Sequence, residues 1–181
     1  LNTALQEEYI SFDPEIKGET VWKDAQTLEF KPTERLKPGQ TYKATFHLNK
    51  LVEVKKELRD FEFHFQSIKQ SINMEVYDLR SYTSGDYSFY SLAGTISTAD
   101  FADASLIEKT LDAKLNATNI NLKWTHNDGG TLHRFTIDSI ERPSSSNAKL
   151  TLVCNAKGLD LSYSSEKNLL VPAKGSFIAL N

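Results

Sequence analysis

The stretch Phe61-Glu62-Phe63-His64-Phe65 carries the clearest structural signal in the sequence. Because side chains alternate between the two faces of a strand, this order places the three phenylalanines on one face and the two polar residues on the other. Such alternation is typical of half-buried strands in antiparallel sheets. The same period of two recurs at Leu28-Glu29-Phe30 and over residues 42–48. The pattern predicts an all-β protein in which these phenylalanines line a core.

Turn signals follow the predicted strands at short intervals. Pro38-Gly39 is typical of a type II turn, since proline sets φ at the first central position and glycine supplies a positive φ at the second. Asn127-Asp128-Gly129-Gly130 predicts a β-hairpin, because these residues tolerate positive φ. Short strands separated by such turns are typical of sandwiches and barrels, and we predict sandwiches.

The polar segment 66–71 divides the sequence into two strand-rich blocks. We predict two antiparallel β-sandwich modules in tandem, the first over residues 1–68 and the second over residues 69–181. Further strands of the second module are predicted at residues 74–77, 87–96, 120–124, 132–140, 150–154, 168–171 and 176–180.

One short helix is predicted near residues 105–115. Leucine and isoleucine recur there at helical spacing, and Ser105 with Glu108 three residues later matches a capping box. Asp100 and Asp103 precede the segment, where carboxylates favour the positive end of the helix dipole. A helix this short needs to pack on a sheet to be stable.

Charge and composition restrict the classes of function. The chain of 181 residues carries 21 Lys+Arg and 24 Asp+Glu, a formal net charge of −3. Such a chain lacks the basic field that nucleic-acid binding needs, so no nucleic-acid partner is predicted. No apolar run approaches the roughly 20 residues of a membrane-spanning helix. The one cysteine, Cys154, alternates with Leu150 and Leu152, which predicts a buried structural thiol.

Two histidines flank the predicted hairpin. His126 and His133 could approach each other across the turn, with Asp128 between them, and form a metal or acid–base site. The alternative is a pair of polar residues on an exposed ribbon. The zinc spacings HExxH and CxxC are absent, as are the GxSxG, GxxxxGK[ST] and GxGxxG motifs. We therefore predict no catalytic residue, no metal and no cofactor, and an enzyme centred on these three residues is an alternative interpretation.

An aromatic-rich stretch gives the best case for a binding surface. It contains Tyr77, Tyr82, Tyr87 and Tyr90, and exposed tyrosines can stack on sugars or on a partner chain. The alternative is that Phe89 and some of these tyrosines fill the core instead. The four tyrosines are the predicted candidates for a ligand-binding surface.

A longer pattern spans the first module. It runs through Ile10-Ser11-Phe12-Asp13-Pro14-Glu15-Ile16-Lys17-Gly18, Val21-Trp22, Thr27-Leu28-Glu29-Phe30-Lys31-Pro32 and Leu36-Lys37-Pro38-Gly39-Gln40-Thr41-Tyr42. It resembles the bacterial immunoglobulin-like module, whose sandwich core would be filled by Trp22, Leu28, Phe30 and Tyr42. Together with residues 61–65 and the downstream block Leu92-Ala93-Gly94-Thr95-Ile96-Ser97-Thr98-Ala99-Asp100, the chain resembles the N-terminal macroglobulin-type domains of bacterial alpha-2-macroglobulins, most of all those of Bacteroidetes.

This resemblance implies immunoglobulin-like or macroglobulin-like sandwiches with a non-catalytic scaffold role. Family members are large cell-envelope proteins thought to trap proteases when a bait segment is cut. The implied location is periplasmic or in the cell envelope, with membrane attachment only through a lipid anchor outside this chain. The implied partners are the other domains of the parent chain and, through the parent, proteases.

The chain also departs from the family pattern. Cys154 is followed by Asn155-Ala156-Lys157, so the Cys-x-Glu-Gln thioester motif is absent, and neither a bait segment nor a lipobox cysteine is recognisable. We therefore expect a fragment of a longer protein, whose first sandwich lacks a strand and exposes an edge that invites pairing with another chain. The competing hypothesis is a cell-surface binding or adhesion module that recognises glycan or protein through the tyrosine surface.

Overall fold

A computed structural model of the chain describes Leu5, residues 7–83 and residues 86–176. It divides into two compact units, Leu1–Lys69 and Gln70–Asn181, whereas the sequence prediction divides the chain after residue 68. Both units consist of antiparallel strands, and the predicted all-β sandwich class is confirmed.

The described residues of the first unit contain five strands. A three-stranded sheet has the order β1-β4-β5, and β2 pairs with β3 in a separate hairpin. Two 3-10 turns, Leu48–Lys50 and Lys56–Leu58, lie between the last two strands. The strands are β1 (Ile10–Asp13), β2 (Gly18–Trp22), β3 (Leu28–Pro32), β4 (Thr41–His47) and β5 (Asp60–Gln66).

Aromatic contacts form the centre of the first unit. Tyr42 is buried and stacks on Phe65 with ring centroids 5.4 Å apart. Phe12 contacts Phe30 at 4.6 Å. The type II turn before β4 is confirmed, because Gly39 has a φ of 70° and the next N–H donates to the carbonyl three residues earlier at 3.3 Å.

Burial in the first unit is lower than the sequence pattern predicts. Trp22, Leu28 and Phe30 are only half-buried. Phe61 and Phe63 are 63% and 45% exposed, so the prediction that they line a core is wrong. The physical reason is that β5 is an edge strand whose apolar face is covered only near Phe65.

The described residues of the second unit contain nine strands and one α-helix. One sheet has the order β11-β12-β8-β6, with β7 also paired to β8, and the other has the order β10-β9-β13-β14. The elements are β6 (Ile72–Val76), β7 (Arg80–Thr83), β8 (Asp86–Thr98), α1 (Ala104–Glu108), β9 (Leu111–Leu115), β10 (Thr118–Asn119), β11 (Lys123–His126), β12 (Leu132–Glu141), β13 (Ala148–Asn155) and β14 (Ser164–Val171). A 3-10 turn, Ala156–Leu159, follows β13.

Both sheets of the second unit contribute to one hydrophobic core. Leu92, Ile96 and Phe135 belong to one sheet, and Leu150 and Leu152 to the other; all five are almost completely buried. The Cα of Gly94 lies under the ring of Phe135, where a methyl group would overlap the ring. Glycine at this position therefore allows the aromatic ring to pack on the central strand.

The helix is shorter than predicted. Asp103 is its N-cap, and its carboxylate accepts hydrogen bonds from the N–H groups of Ser105 and Leu106 at 2.9 and 3.3 Å. The predicted capping box with Ser105 as the cap is therefore wrong, although the predicted capping role of Asp103 is confirmed. The helix ends where the Thr110 hydroxyl donates to a helix carbonyl at 2.7 Å. From Leu111 onward the chain pairs with β13 as a strand.

Other boundaries also differ from the predictions. The predicted strand at 120–124 is present only in part: residues 123 and 124 belong to β11, and residues 120–122 lie between β10 and β11. The predicted strand at 176–180 lies outside the described residues from residue 177 onward. No helix in the described ranges is long and apolar enough to span a membrane.

Candidate functional site

The predicted tyrosine surface is only partly exposed. Tyr77 and Tyr87 are 45% and 68% exposed. Tyr90 belongs to the core of the second unit, which removes it from that surface, and the guanidinium of Arg142 lies 5.3 Å from its ring centroid. The side chain of Tyr82 lies outside the part of the chain that the structure describes.

A shallow groove runs beside Tyr77. Asp78, Arg80, Thr136 and Asp138 line it together with residues 91–93 of β8. An aromatic face next to acidic, basic and hydroxyl groups can stack on a ligand and hydrogen-bond to it at the same time. Tyr77 therefore retains the properties that the sequence analysis assigned to a binding residue.

Arg142 is a buried cation that no sequence motif predicted. Its guanidinium donates to the carbonyls of Tyr87 at 2.9 Å and Pro172 at 3.0 Å, and also to those of Ala173 and Ser176. The carbonyl oxygens solvate the charge in place of water. Arg142 thereby joins the segment after β14 to the start of β8.

The side chains of the two hairpin histidines are in contact, as the hypothesis of a site at the turn predicted. The hairpin is confirmed by the pairing of His126 with His133 and by the φ of 60° at Gly130. Nδ1 of His126 lies 2.8 Å from Nδ1 of His133, and Nε2 of His126 lies 3.1 Å from a carboxylate oxygen of Glu108. The carboxylate that contacts the pair is that of Glu108, whereas the alternative enzyme hypothesis included that of Asp128.

Hydrogen-bond partners determine where the protons lie in this Glu–His–His cluster. Because a carboxylate accepts, Nε2 of His126 carries a hydrogen and its Nδ1 accepts from His133 when both rings are neutral. Nε2 of His133 is then an unprotonated acceptor. It is completely buried and has no hydrogen-bond partner among the described residues.

The environment of His133 opposes its protonation. Burial lowers the pKa of His133 below its usual value of 6.5, the neighbouring His126 lowers it further, and the Gly130 backbone opposes the shift in part. A proton added at Nε2 would place an uncompensated charge in the core. Burial therefore favours the neutral form of His133, and its protonation in acid would destabilise the fold.

The geometry of the pair does not match a metal site. The two Nδ1 atoms face each other at hydrogen-bond distance. Three or more His, Cys, Asp or Glu side chains arranged to hold a metal occur nowhere in the described ranges. Trp124 stacks beside His126 and contacts Phe135, which connects the cluster to the core.

A second polar group, which the sequence analysis missed, lies on the first unit. His47 donates from Nδ1 to Asp60 at 2.6 Å, and its Nε2 accepts from the Ser11 hydroxyl at 3.0 Å. The three residues belong to β4, β5 and β1, so only the strand register brings them together.

The order of these hydrogen bonds resembles a Ser–His–Asp triad, in which an oriented histidine activates a serine. Such sites also need donors for the developing oxyanion, commonly backbone N–H groups beside the nucleophile. The backbone N–H of His47 donates to the carbonyl of Tyr9 at 2.8 Å. In an antiparallel ladder every second residue forms such bonds, so Thr45 of β4 is also hydrogen-bonded to β1. The N–H of Ser11, which is paired with Thr45, is therefore used in the sheet. We assign the three side chains to cross-strand stabilisation.

Cys154 is the buried structural thiol that the sequence predicts. It is completely buried with Leu150 and Leu152, and burial raises the pKa of its thiol. Its Sγ lies 4.0 Å from the Thr110 hydroxyl. Burial and a raised pKa both oppose the formation of a reactive thiolate.

Comparisons with known proteins add no family to this description: no protein-family model matches the chain, and no curated protein matches it significantly.

Proposed function

We propose that this chain is a non-catalytic scaffold part of a bacterial alpha-2-macroglobulin-like protein and supports protease trapping in the cell envelope. Its partners in this role are the other domains of the parent chain and, through the parent, proteases. The parent is periplasmic or envelope-bound through a lipid anchor outside this chain.

The proposal is supported by one observation: several of the described residues that resemble the macroglobulin family pack in the interior or form turns. Tyr42 is buried, Phe30 packs on Phe12, and Gly39 provides the positive φ of the turn. The downstream block 92–100 supplies most of the central strand β8 and its buried residues. Residues whose roles are packing and turn formation suit a spacer that holds other domains in position.

A protease challenge of the parent protein tests this function. Residual protease activity is measured on a small peptide and on a bulky protein substrate. Trapping preserves cleavage of the peptide and suppresses cleavage of the protein. Phe135→Ala, which removes a completely buried ring, should impair trapping, and Leu170→Ala at an exposed site should not.

Two results would contradict the proposal. Degradation of the parent without loss of activity on the protein substrate would exclude trapping of that protease. Trapping that is unaffected by unfolding of this chain would show that the scaffold role lies elsewhere in the parent. Circular dichroism of the Phe135→Ala chain establishes whether the variant is unfolded.

A second candidate function, a binding or adhesion module, is favoured by the exposed ring of Tyr77 beside the polar groove. The test is binding of the 181-residue chain to a glycan array and to envelope proteins. Tyr77→Ala should reduce binding at least tenfold if the ring stacks on the ligand. Leu170→Ala is the matched exposed control, and equal binding by both variants would remove this function.

A further inference from the structure

The outer edge of β5 has no paired strand in the described part of the chain. Its residues are almost all exposed, including the rings of Phe61 and Phe63. The three phenylalanines form a row, with neighbouring centroids 6.1 and 6.4 Å apart. An exposed apolar edge strand is a template for adding another strand.

Backbone hydrogen bonds define which groups of β5 face outward. The backbone N–H of Ser67 donates to the carbonyl of Gln40 at 3.0 Å, which continues the register of the β4–β5 ladder. Bonded pairs recur at every second residue of an antiparallel ladder, so the phenylalanines direct their backbone groups to β4. The N–H and C=O groups of Glu62 and His64 therefore point outward. The residues of β4 that alternate with the partners of the phenylalanines form the hydrogen bonds to β1; His47, for example, donates its backbone N–H to the Tyr9 carbonyl.

The order of residues in β5 is nearly symmetric about Phe63. If two copies of β5 paired in an antiparallel manner with Phe63 at the centre, each phenylalanine would face a phenylalanine. Each glutamate would then face a histidine. The facing residues would be Phe61 with Phe65, Phe63 with Phe63, Glu62 with His64, and Asp60 with Gln66.

We propose that β5 binds β5 of a second copy of this chain, antiparallel and centred on Phe63, and so joins two three-stranded sheets into one of six strands. The outward groups of Glu62 and His64 form the bonded pairs, and Phe63 forms the closer, non-bonded pair on the twofold axis. This register uses the backbone groups that are directed away from β4.

The acidic side chain of Glu62 and the basic side chain of His64 are complementary across the proposed axis, which favours a second copy of this chain as the partner of β5. Lys43 bonds one carboxylate oxygen of Glu62 at 2.7 Å. The other oxygen faces His64 of the second copy, and the twofold axis repeats this contact. A strand that lacked this order would place its own charges or apolar residues opposite Glu62 and His64. This interaction does not depend on the proposed function.

Sedimentation equilibrium of the 181-residue chain measures the association. A monomer–dimer equilibrium is expected. His64→Glu places carboxylates opposite each other at two symmetric positions and should weaken the dimer about tenfold. Leu170→Glu, at an exposed position of β14, is the control and should leave the dimer unchanged.

A double substitution tests the register. Combining Glu62→Lys with His64→Glu places a lysine opposite a carboxylate at both symmetric positions, so attraction across the twofold axis returns and the dimer should recover. His64 pairs with Lys43 within the sheet, so the second substitution also keeps an opposite charge beside that lysine. Failure to recover, with the fold intact by circular dichroism, would overturn this register.

Cross-linking provides a separate measurement that requires no charge change. Phe63→Cys brings two thiols together on the axis and should give a disulfide-linked dimer on a non-reducing gel. Phe61→Cys is the matched control, because its thiol would face Phe65 of the second copy. Equal cross-linking of both variants, or a wild-type chain that stays monomeric while β5 binds a different protein, would overturn the proposal.

Discussion

The two units use the same alternating pattern with opposite results. β5 in the first unit and β13 in the second both carry apolar residues at every second position. The apolar set of β13 is completely buried, whereas Phe61 and Phe63 of β5 are largely exposed. Alternation therefore determines which side chains share a face, and the surrounding strands determine whether that face is buried.

The position of each strand explains the difference. β13 lies between β9 and β14, and its apolar face meets a second sheet in a common core. β5 is the last strand of a three-stranded sheet, and the one of its three rings that Phe12 and Tyr42 contact in the described structure is that of Phe65. An edge strand thus keeps its local pattern without gaining the burial that normally stabilises it.

The largest expected effect compares one ring from each unit. Phe135→Ala should cost about 3–5 kcal/mol because it leaves a cavity in a closed core. At a protein concentration at which the chain is monomeric, Phe61→Ala should change stability by less than about 0.5 kcal/mol, since its ring is mostly in water. Urea unfolding measures both, with fluorescence of Trp22 reporting the first unit and Trp124 the second.

Single-tryptophan variants, Trp22→Phe and Trp124→Phe, assign each transition to its unit. Equal losses for the two alanine variants would contradict the difference in burial. A loss for Phe61→Ala that grows with protein concentration would indicate that the ring is buried in the proposed β5–β5 dimer.

A buried cation should stabilise the second unit through backbone contacts. Arg142→Ala leaves several buried carbonyls without a donor and should cost about 3 kcal/mol. Arg134→Ala, at an exposed position of β12, is the control and should cost less than about 0.5 kcal/mol. Urea midpoints of the Trp124 transition measure this, and equal midpoints for the two variants would contradict the role assigned to Arg142.

The histidine pair should make the stability of the second unit sensitive to acid. Because burial and His126 lower the pKa of His133, the unfolded chain binds its proton more readily than the folded chain. Stability from this group is complete above its ordinary pKa of 6.5 and falls as the pH decreases below that value. Urea midpoints of the Trp124 transition between pH 8 and about 5 measure the loss.

A histidine variant isolates this contribution. His133→Gln removes the titrating group, so the second unit should be less stable at pH 7 but lose less of its stability on acidification. His64→Gln on exposed β5 is the control and should leave the acid dependence of the second unit unchanged. If the stability of wild type and of His133→Gln had the same pH dependence, the lowered pKa of His133 could not be the cause of the acid sensitivity.

The sequence predicted the local structure well and the long-range contacts less well. Alternation and turn residues identified the strands, the Gly39 turn and the hairpin between the two histidines, because each depends on a few adjacent residues. The Ser11–His47–Asp60 group depends on the register of three strands, which no local pattern contains. Burial of Tyr90 under Arg142 likewise requires the tertiary structure.

The helix shows how two correct local signals can compete. Hydrophobic spacing predicted a helix over residues 105–115, yet the same Leu111 and Leu115 also fit a strand. Pairing of β9 with β13 buries Leu111 beside Cys154, which a longer helix would prevent. Tertiary pairing therefore overrides the helical pattern after Thr110.

The smallest expected effect distinguishes the two capping residues. The Ser105 hydroxyl and N–H lower the pKa of Asp103, which identifies its ionised carboxylate as the acceptor at the helix start. Asp103→Ala should therefore lower the thermal midpoint of the second unit by less than Arg142→Ala, but by more than Ser105→Ala. If the two cap variants had the reverse order, the helix would begin with the capping box that the sequence pattern indicated. Because α1 contributes buried Ile107 to the core of the second unit, the first unit should unfold unchanged in both variants.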